Sequence, residues 1–157
     1  MKPELQVIIA GPNPDENQLL VKRLCLIGFH KIIGYLNTPF ESLDPSSLSS
    51  LAKISVEDLK SKLGKKDIVI DVRKPDEWAE GHLAEAKLIT LANFPSESEN
   101  FEESLGPKEN PIFTHCRAGG RSLIAVSYLL SKGFTNVTSI DGGSTAMIEG
   151  GMDFSAK

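Results

Sequence analysis

The sequence predicts an α/β fold in which a parallel sheet is flanked by helices on both faces. Three apolar runs, at residues 68–72, 111–115 and 137–140, carry this prediction. Each run is nearly continuous rather than alternating, which is typical of strands that are buried on both faces. Segments with helical periodicity separate the runs, and parallel strands need crossovers of this kind.

Composition divides the chain into four segments. Residues 1–40 are predicted to form a partial repeat, residues 41–53 a linker rich in Ser, Pro and Leu, residues 54–152 the main domain, and residues 153–157 a tail. The 157 residues give room for one domain with a full core, but not for two complete ones.

The helices can be placed from their start and stop signals. In the first segment, Leu20, Leu24 and Ile27 recur at helical spacing between apolar strands at residues 5–10 and 32–36. In the main domain, a serine is in place to cap a helix over residues 55–63, because acidic residues follow it in the first turn.

An internal repeat connects the two parts of the chain. Residues 28–33 are similar to residues 133–138, at an offset of 105 positions (133 − 28), and each copy leads from a helix into a strand. We interpret the pair as a duplication, the alternative being convergence on a common α/β connection. When the two copies are aligned, the position equivalent to Cys116 is Ala10 or Gly11 in the first copy. The first copy therefore has no nucleophile.

Composition excludes several classes of function. A formal net charge of −4 argues against a nucleic-acid partner held through its phosphates. No apolar run approaches the roughly 20 residues that cross a bilayer, and the start of the chain is too weakly basic for a signal peptide. Two cysteines suit a reducing compartment, so we predict a cytoplasmic protein. Three scattered histidines form no metal signature, and we predict neither a metal nor a cofactor.

Cys116 stands where a predicted strand turns into a predicted helix. Gly119 and Gly120 allow the backbone to curl, so that several N–H groups converge on one point and form an anion-binding nest. The positive end of the helix and the nearby Arg117 and Arg121 add to this effect. We expect this environment to lower the pKa of the thiol and to stabilise the thiolate.

The size of the expected shift decides whether a general base is needed. An unperturbed thiol with a pKa of about 8.5 is only roughly 3% ionised at pH 7. A pKa lowered by about two units would make the thiolate the majority form, so that Cys116 would need no base. The alternative is a buried structural cysteine. We assign that role to Cys25, which lies on a helix among apolar residues.

The loop resembles the active-site loop of rhodanese-type sulfurtransferases, in which four residues separate a cysteine from an arginine that precedes Ser or Thr. The chain has this spacing from Cys116 to Arg121. Residues 71–83 (DVRKPDEWAEGHL) and 141–143 (DGG) are similar to two further signatures of that family. Met147 departs from the pattern, since many relatives carry tryptophan there, so we expect a different pocket rim and substrate preference.

The resemblance implies that Cys116 is the nucleophile. The implied substrate-binding residues are those of the loop, namely Arg117, Ala118, Gly119, Gly120, Arg121 and Ser122. Four supporting residues complete the set, namely Asp71, Arg73, Glu77 and His82.

The supporting residues also have expected positions of their own. Ligands bind at the carboxyl edge of a parallel sheet, so Asp71 and Arg73 are expected near the Cys116 loop. Arg73 and Glu77, four residues apart at a helix start, are predicted to form a structural ion pair. His82, after a glycine, is predicted to stabilise a turn rather than to act in catalysis.

The leading functional hypothesis is sulfur transfer by double displacement. Cys116 would take sulfur from a small anionic donor, either thiosulfate or a low-molecular-weight persulfide, and pass it to a thiol, cyanide or sulfite. One alternative is a phosphatase or arsenate reductase, although such loops have one more residue between cysteine and arginine. The other is a non-catalytic binding module.

Residues 4–40 resemble the second half of a degenerate rhodanese domain. A degenerate copy followed by an active copy occurs at the C-terminal end of proteins whose front part is a metallo-β-lactamase-like persulfide dioxygenase. The resemblance therefore implies an upstream dioxygenase domain and a longer protein.

Overall fold

The computed structural model describes residues 6–10, 13–35, 42–44, 46, 50–64 and 67–156. The chain forms two compact units, Met1–Ser49 and Ser50–Lys157.

The first unit pairs two parallel strands, β1 (Val7–Ile9) and β2 (Ile32–Tyr35), joined by helix α1 (Pro14–Leu26). The side chain of Asn13 caps α1 by accepting a hydrogen bond from the N–H of Glu16 at 2.9 Å. Both strands lie where the apolar runs predicted them. The outer positions of those runs, residues 5 and 36, lie outside the described residues, as does Gly11.

Few of the apolar side chains in the first unit are buried. Ile9 and Phe29 are buried, whereas Ile8 and Ile33 are more than half exposed. Cys25 is only partly buried, so its assignment to the core was wrong. The reason is that a helix over two strands covers one face of the pair and little else.

The second unit is built on a parallel sheet of five strands. The strands are β3 (Lys53–Ile54), β4 (Ile68–Asp71), β5 (Ala86–Leu88), β6 (Ile112–His115) and β7 (Val137–Ile140). Their order across the sheet is β3-β7-β6-β4-β5, and every neighbouring pair is parallel. The predicted fold class is therefore confirmed.

Helices cover both faces of this sheet. The helices are α2 (Val56–Lys62), α3 (Pro75–Ala79), α4 (Phe94–Glu97), α5 (Phe101–Leu105), α6 (Gly120–Ser131) and α7 (Gly143–Glu149), with 3-10 turns at Leu91–Asn93 and Ser98–Asn100. Ser55 caps α2, as predicted, by accepting a hydrogen bond from the N–H of Asp58 at 3.1 Å. Helix α6 begins at Gly120, four residues after Cys116.

Two apolar cores result, one on each face, because successive strand residues point to opposite sides. Ile70 and Ile112 point towards α5 and α6, whereas Val69 and Phe113 point towards α2 and α7. Met147 is fully buried in the second core. Its expected place at the pocket rim was wrong, since α7 turns this position towards the sheet.

The chain beyond α7 packs against the same unit. The N–H of His82 donates to the carbonyl of Ala156 at 3.1 Å, and the ring of Phe154 lies 5.8 Å from the guanidinium carbon of Arg73. The residues that composition marks as a tail thus contact the supporting residues of the predicted site.

Candidate functional site

Cys116 follows directly after β6, at the carboxyl edge of the sheet. Strand β6 lies between β4 and β7, so neighbouring strands flank the start of the loop on both sides. The thiol is 2% exposed, and the N–H of Gly119 donates to Sγ at 3.1 Å. Gly119 has a φ of 99°, a left-handed conformation that favours glycine and turns the backbone back towards the sulfur.

The start of α7 holds this loop in shape. The N–H of Ser144 donates to the carbonyl of Cys116 at 2.7 Å, and the N–H and hydroxyl of Thr145 donate to the carbonyl of Arg117 at 3.2 and 3.0 Å. The two carbonyls are thereby tied to α7, which leaves the following N–H groups free to face the sulfur. Gly143 has a φ of 60°, and a Cβ there would collide with both carbonyls.

These contacts decide the ionisation of Cys116. Burial by itself would raise the pKa of the thiol, because a charge in an apolar environment is poorly solvated. The N–H groups of Ser122, Ala118 and Gly119 and the Ser122 hydroxyl outweigh burial, and the pKa of Cys116 lies below its ordinary value. The backbone nest therefore shifts the equilibrium of Cys116 towards the thiolate.

Ser122 belongs to this machinery through its side chain. Its hydroxyl donates to the carbonyl of Gly119 at 2.8 Å and shares a hydrogen bond with the hydroxyl of Ser139, also at 2.8 Å. Ser122 is fully buried. Hydrogen bonds thus hold the loop both to β7, through Ser139, and to α7.

Arg121 lies in the first turn of α6 and forms a two-pronged ion pair with Glu77. Its Nη1 and Nη2 atoms lie 2.6 and 2.7 Å from the two carboxylate oxygens. The hydrogen bonds from Arg121, opposed by burial and helped by the N–H of Lys74, lower the pKa of Glu77 to about 2. The same pair, together with the charge of Cys116, raises the pKa of Arg121.

The predicted ion pair between Arg73 and Glu77 was wrong. Arg73 binds Asp71 instead, with its Nε atom 2.7 Å from the carboxylate, and it also donates to the carbonyl of Gly81 at 2.9 Å. Asp71 is fully buried and also accepts the N–H of Arg73 at 2.9 Å, so the arginine is drawn back towards β4.

Two histidines lie close to this network. The ring of His82 stacks on Trp78 with centroids 3.6 Å apart, and its Nδ1 lies 3.1 Å from the Trp78 carbonyl. His115 is fully buried, with Nε2 3.7 Å from the carboxylate of Asp71. Burial lowers the pKa of His115, against the pull of Asp71, so the ring stays neutral at pH 7.

A cavity of about 270 Å³ opens beside the loop. Its lining mixes charged, hydroxyl and apolar side chains, namely Arg73, Glu77, Glu80, Arg117, Ser144, Thr145, Ile148 and Glu149. The structure thus places Arg73 and Glu77 beside the loop, while His82 lies against Trp78 and lines no part of this cavity.

Five of the lining residues were missed from the sequence, namely Glu80, which directly follows α3, and four residues of one helix. Ser144, Thr145, Ile148 and Glu149 all belong to α7. The sequence did contain a signal for these residues. A double glycine at a strand end, followed by Ser and Thr, indicates the start of a helix, and the unpaired N–H groups at a helix start can bind a neighbouring loop.

A family model for the rhodanese-like domain matches residues 55–149. The chain belongs to the rhodanese-like domain family. The rhodanese-like domain protein of Staphylococcus aureus is 29% identical with a TM-score of 0.57, over 68% of this chain and all (100%) of that one. A protein from Staphylococcus saprophyticus is 27% identical with a TM-score of 0.55, over 66% of this chain and 99% of its own.

Curated relatives of the rhodanese-like domain include tRNA uridine(34) hydroxylases. The protein of that name from Chlamydia felis is 37% identical over 82 residues, and the one from Chlamydia pneumoniae is 35% identical over 82 residues. Each match covers 50% of this chain and 25% of the relative. The chain thus spans about a quarter of the length of these relatives.

Two features of the described residues bear on other functions. No group of three or more His, Cys, Asp or Glu side chains among them is arranged to hold a metal ion. No helix in the described part of the chain combines the length and the apolar character that crossing a membrane requires.

Proposed function

We propose that the rhodanese-like domain is a sulfurtransferase that carries sulfur on Cys116 as a persulfide. The observation that supports this most is the hydrogen bond of 3.1 Å from the Gly119 N–H to the Cys116 sulfur, inside a loop that lowers the pKa of the thiol. The thiolate is the reactive form for attack on sulfur, and a lowered pKa increases its fraction.

The reaction has two displacements. The Cys116 thiolate attacks the outer sulfur of the donor, a new S–S bond forms, and the old bond breaks to release sulfite from thiosulfate or a thiolate from a small persulfide. A thiol, cyanide or sulfite then attacks the outer sulfur of the Cys116 persulfide and restores the thiolate. The loop N–H groups stabilise the negative charge in both steps, and the exposed Arg117 attracts anionic donors.

The size of the loop argues against a phosphatase or an arsenate reductase. Four residues separate Cys116 from Arg121, one fewer than in the loops that cradle a tetrahedral oxyanion. The guanidinium of Arg121 also binds both carboxylate oxygens of Glu77, so these donors are not available to a bound oxyanion. A non-catalytic binding module would not need a thiol whose pKa is lowered.

The test is a sulfur-transfer assay from thiosulfate to cyanide with two matched variants. We expect Cys116→Ser to abolish transfer and Cys25→Ser to leave it nearly unchanged, because Cys25 lies in the other unit. Transfer by Cys116→Ser at the wild-type rate would refute the proposal. Release of phosphate from an aryl phosphate would favour the phosphatase instead.

A second candidate is that the domain serves in hydroxylation of uridine 34 of tRNA. It is favoured by the 37% identity to proteins of that name, which exceeds the 29% identity to the Staphylococcus aureus domain. The check is nucleoside analysis of tRNA from cells that lack the gene. Loss of hydroxylated uridine at position 34 would support this candidate. Unchanged tRNA would rule it out and leave sulfur transfer as the remaining candidate function.

The degenerate first repeat and the upstream persulfide dioxygenase also belong to this proposal. Their support is the similarity between residues 28–33 and 133–138 and the family in which two such copies follow a dioxygenase. A dioxygenase that uses small persulfides would share its substrate with Cys116.

A further inference from the structure

Some of the charged side chains that line the cavity beside the Cys116 loop are bound by other residues, and some are not. Arg73 is bound by Asp71, and Glu77 is bound by Arg121. Within residues 50–64 and 67–156, the charged groups of Glu80, Arg117 and Glu149 have no hydrogen-bond or ion-pair partner. The free charges of the lining are therefore one cation and two anions.

This balance disfavours a compact dianion. Thiosulfate carries two negative charges, and it would approach a cavity whose free side chains sum to −1. Arg117 can attract one part of such an ion, but Glu80 and Glu149 repel it. Clefts lined by charge select ligands of complementary charge, both by attraction and by repulsion of the wrong partner.

The volume of the cavity points the same way. At about 270 Å³ it holds roughly nine waters, taking about 30 Å³ for each. Thiosulfate, with two sulfur and three oxygen atoms, would leave most of this space unused. A donor with a carbon skeleton would occupy more of it and could reach the exposed side chain of Ile148 as well as the charges.

We infer that the sulfur donor of this site is a low-molecular-weight persulfide of amino-acid type, with an ammonium group bound by Glu80 and Glu149 and a carboxylate bound by Arg117. This inference rests on the proposed function. The transfer step is unchanged: the Cys116 thiolate attacks the outer sulfur, and the amino-acid thiolate leaves. The two glutamates determine which donor is accepted and do not touch the reacting sulfur atoms.

The test compares two donors that differ at the amino group, cysteine persulfide, which carries an ammonium, and N-acetylcysteine persulfide, which carries a neutral amide. The readout is the single-turnover rate at which Cys116 of the full chain gains sulfur, followed by intact-mass spectrometry. The ratio of the two rates is compared among wild type, Glu80→Gln, Glu149→Gln, the double variant, and Glu103→Gln. Glu103 is an exposed carboxylate on α5 that lines no part of the cavity.

We expect each single variant to lower the rate ratio by about two- to fivefold, the range for an exposed charge pair. The double variant should lower it further and accept thiosulfate faster, and both effects should shrink in high salt. Glu103→Gln should match wild type. A ratio unchanged in the double variant would overturn this inference while leaving the proposed function intact, whereas failure of Cys116 to gain sulfur from any donor would overturn both.

Discussion

Arg121 and Glu77, which are 44 positions apart in the sequence, bind each other through two parallel hydrogen bonds of 2.6 and 2.7 Å. The pair connects the first turn of α6 to α3. Arg121, the last residue of the cysteine loop, also interacts with the charge of Cys116. The carboxylate of Glu77 therefore fixes the position of this arginine relative to Cys116. A two-pronged pair of this kind fixes orientation as well as charge.

The first prediction concerns the stability that Glu77 provides. Its pKa is lowered from the ordinary 4.5 to about 2, so its contribution is complete above about pH 4.5 and is lost as the pH falls towards 2. We expect Glu77→Gln to lower the free energy of unfolding at pH 7 by about 1–2 kcal/mol, allowing for the partial exposure of the pair. Urea titrations should show the difference vanishing near pH 2.

The control is Glu103→Gln, which removes an exposed carboxylate that has no partner among the described residues. It should change the free energy of unfolding by less than about 0.5 kcal/mol. A loss for Glu77→Gln that stayed the same from pH 7 to pH 2 would contradict the ion-pair account.

The second prediction concerns the effect of Arg121 on the nucleophile. Arg121→Ala should raise the pKa of Cys116 and slow persulfide formation, because the thiolate loses a neighbouring cation. The rise should be smaller than the roughly 1–3 units of an unshared charge, since Glu77 neutralises part of it. The pH profile of Cys116 alkylation measures the shift. Lys132→Ala, at the other end of α6, should leave the profile unchanged, and an unchanged profile in Arg121→Ala would refute the role.

The third prediction concerns Ser122. Ser122→Ala removes a hydroxyl that lowers the pKa of Cys116 and that bonds to Ser139 within the sheet. We expect a higher thiol pKa and a loss of about 1–3 kcal/mol in the free energy of unfolding, since a buried hydroxyl loses its partner. Ser127→Ala on the exposed side of α6 is the matched control, and equal effects of the two variants would rule this role out.

The strands and the position of the nucleophile could be predicted from the sequence. Buried parallel strands are continuous apolar runs, so β4, β6 and β7 were placed to within a residue, and the cap of α2 followed from Ser55. Strand β5 and helices α4 and α5 were not anticipated. They have three to five residues each, too few to show a period.

Side-chain partners could not be predicted in the same way. Glu77 lies four positions after Arg73 but binds an arginine from a distant helix, because the buried Asp71 holds Arg73. Met147 was expected at the pocket rim from its place in a motif, and the direction of α7 buries it instead. Such choices depend on which elements pack together, and local spacing does not contain that information.

The fourth prediction concerns the first unit. Its strands β1 and β2 expose Ile8 and Ile33, and a sheet edge of this kind invites association with another chain. We expect a chain that lacks residues 1–49 to keep its transfer rate and to change only in solubility or association state, measured by light scattering. A rate that fell by orders of magnitude while circular dichroism showed a folded domain would mean that this unit contributes to the active site.

The central claim is that Cys116 carries the transferred sulfur. The most direct measurement is peptide mass spectrometry after incubation with a sulfur donor and alkylation to trap persulfides. The account predicts one additional sulfur atom on the peptide that contains Cys116 and none on the peptide that contains Cys25. Sulfur on Cys25 alone, or on neither peptide while transfer proceeds, would contradict it.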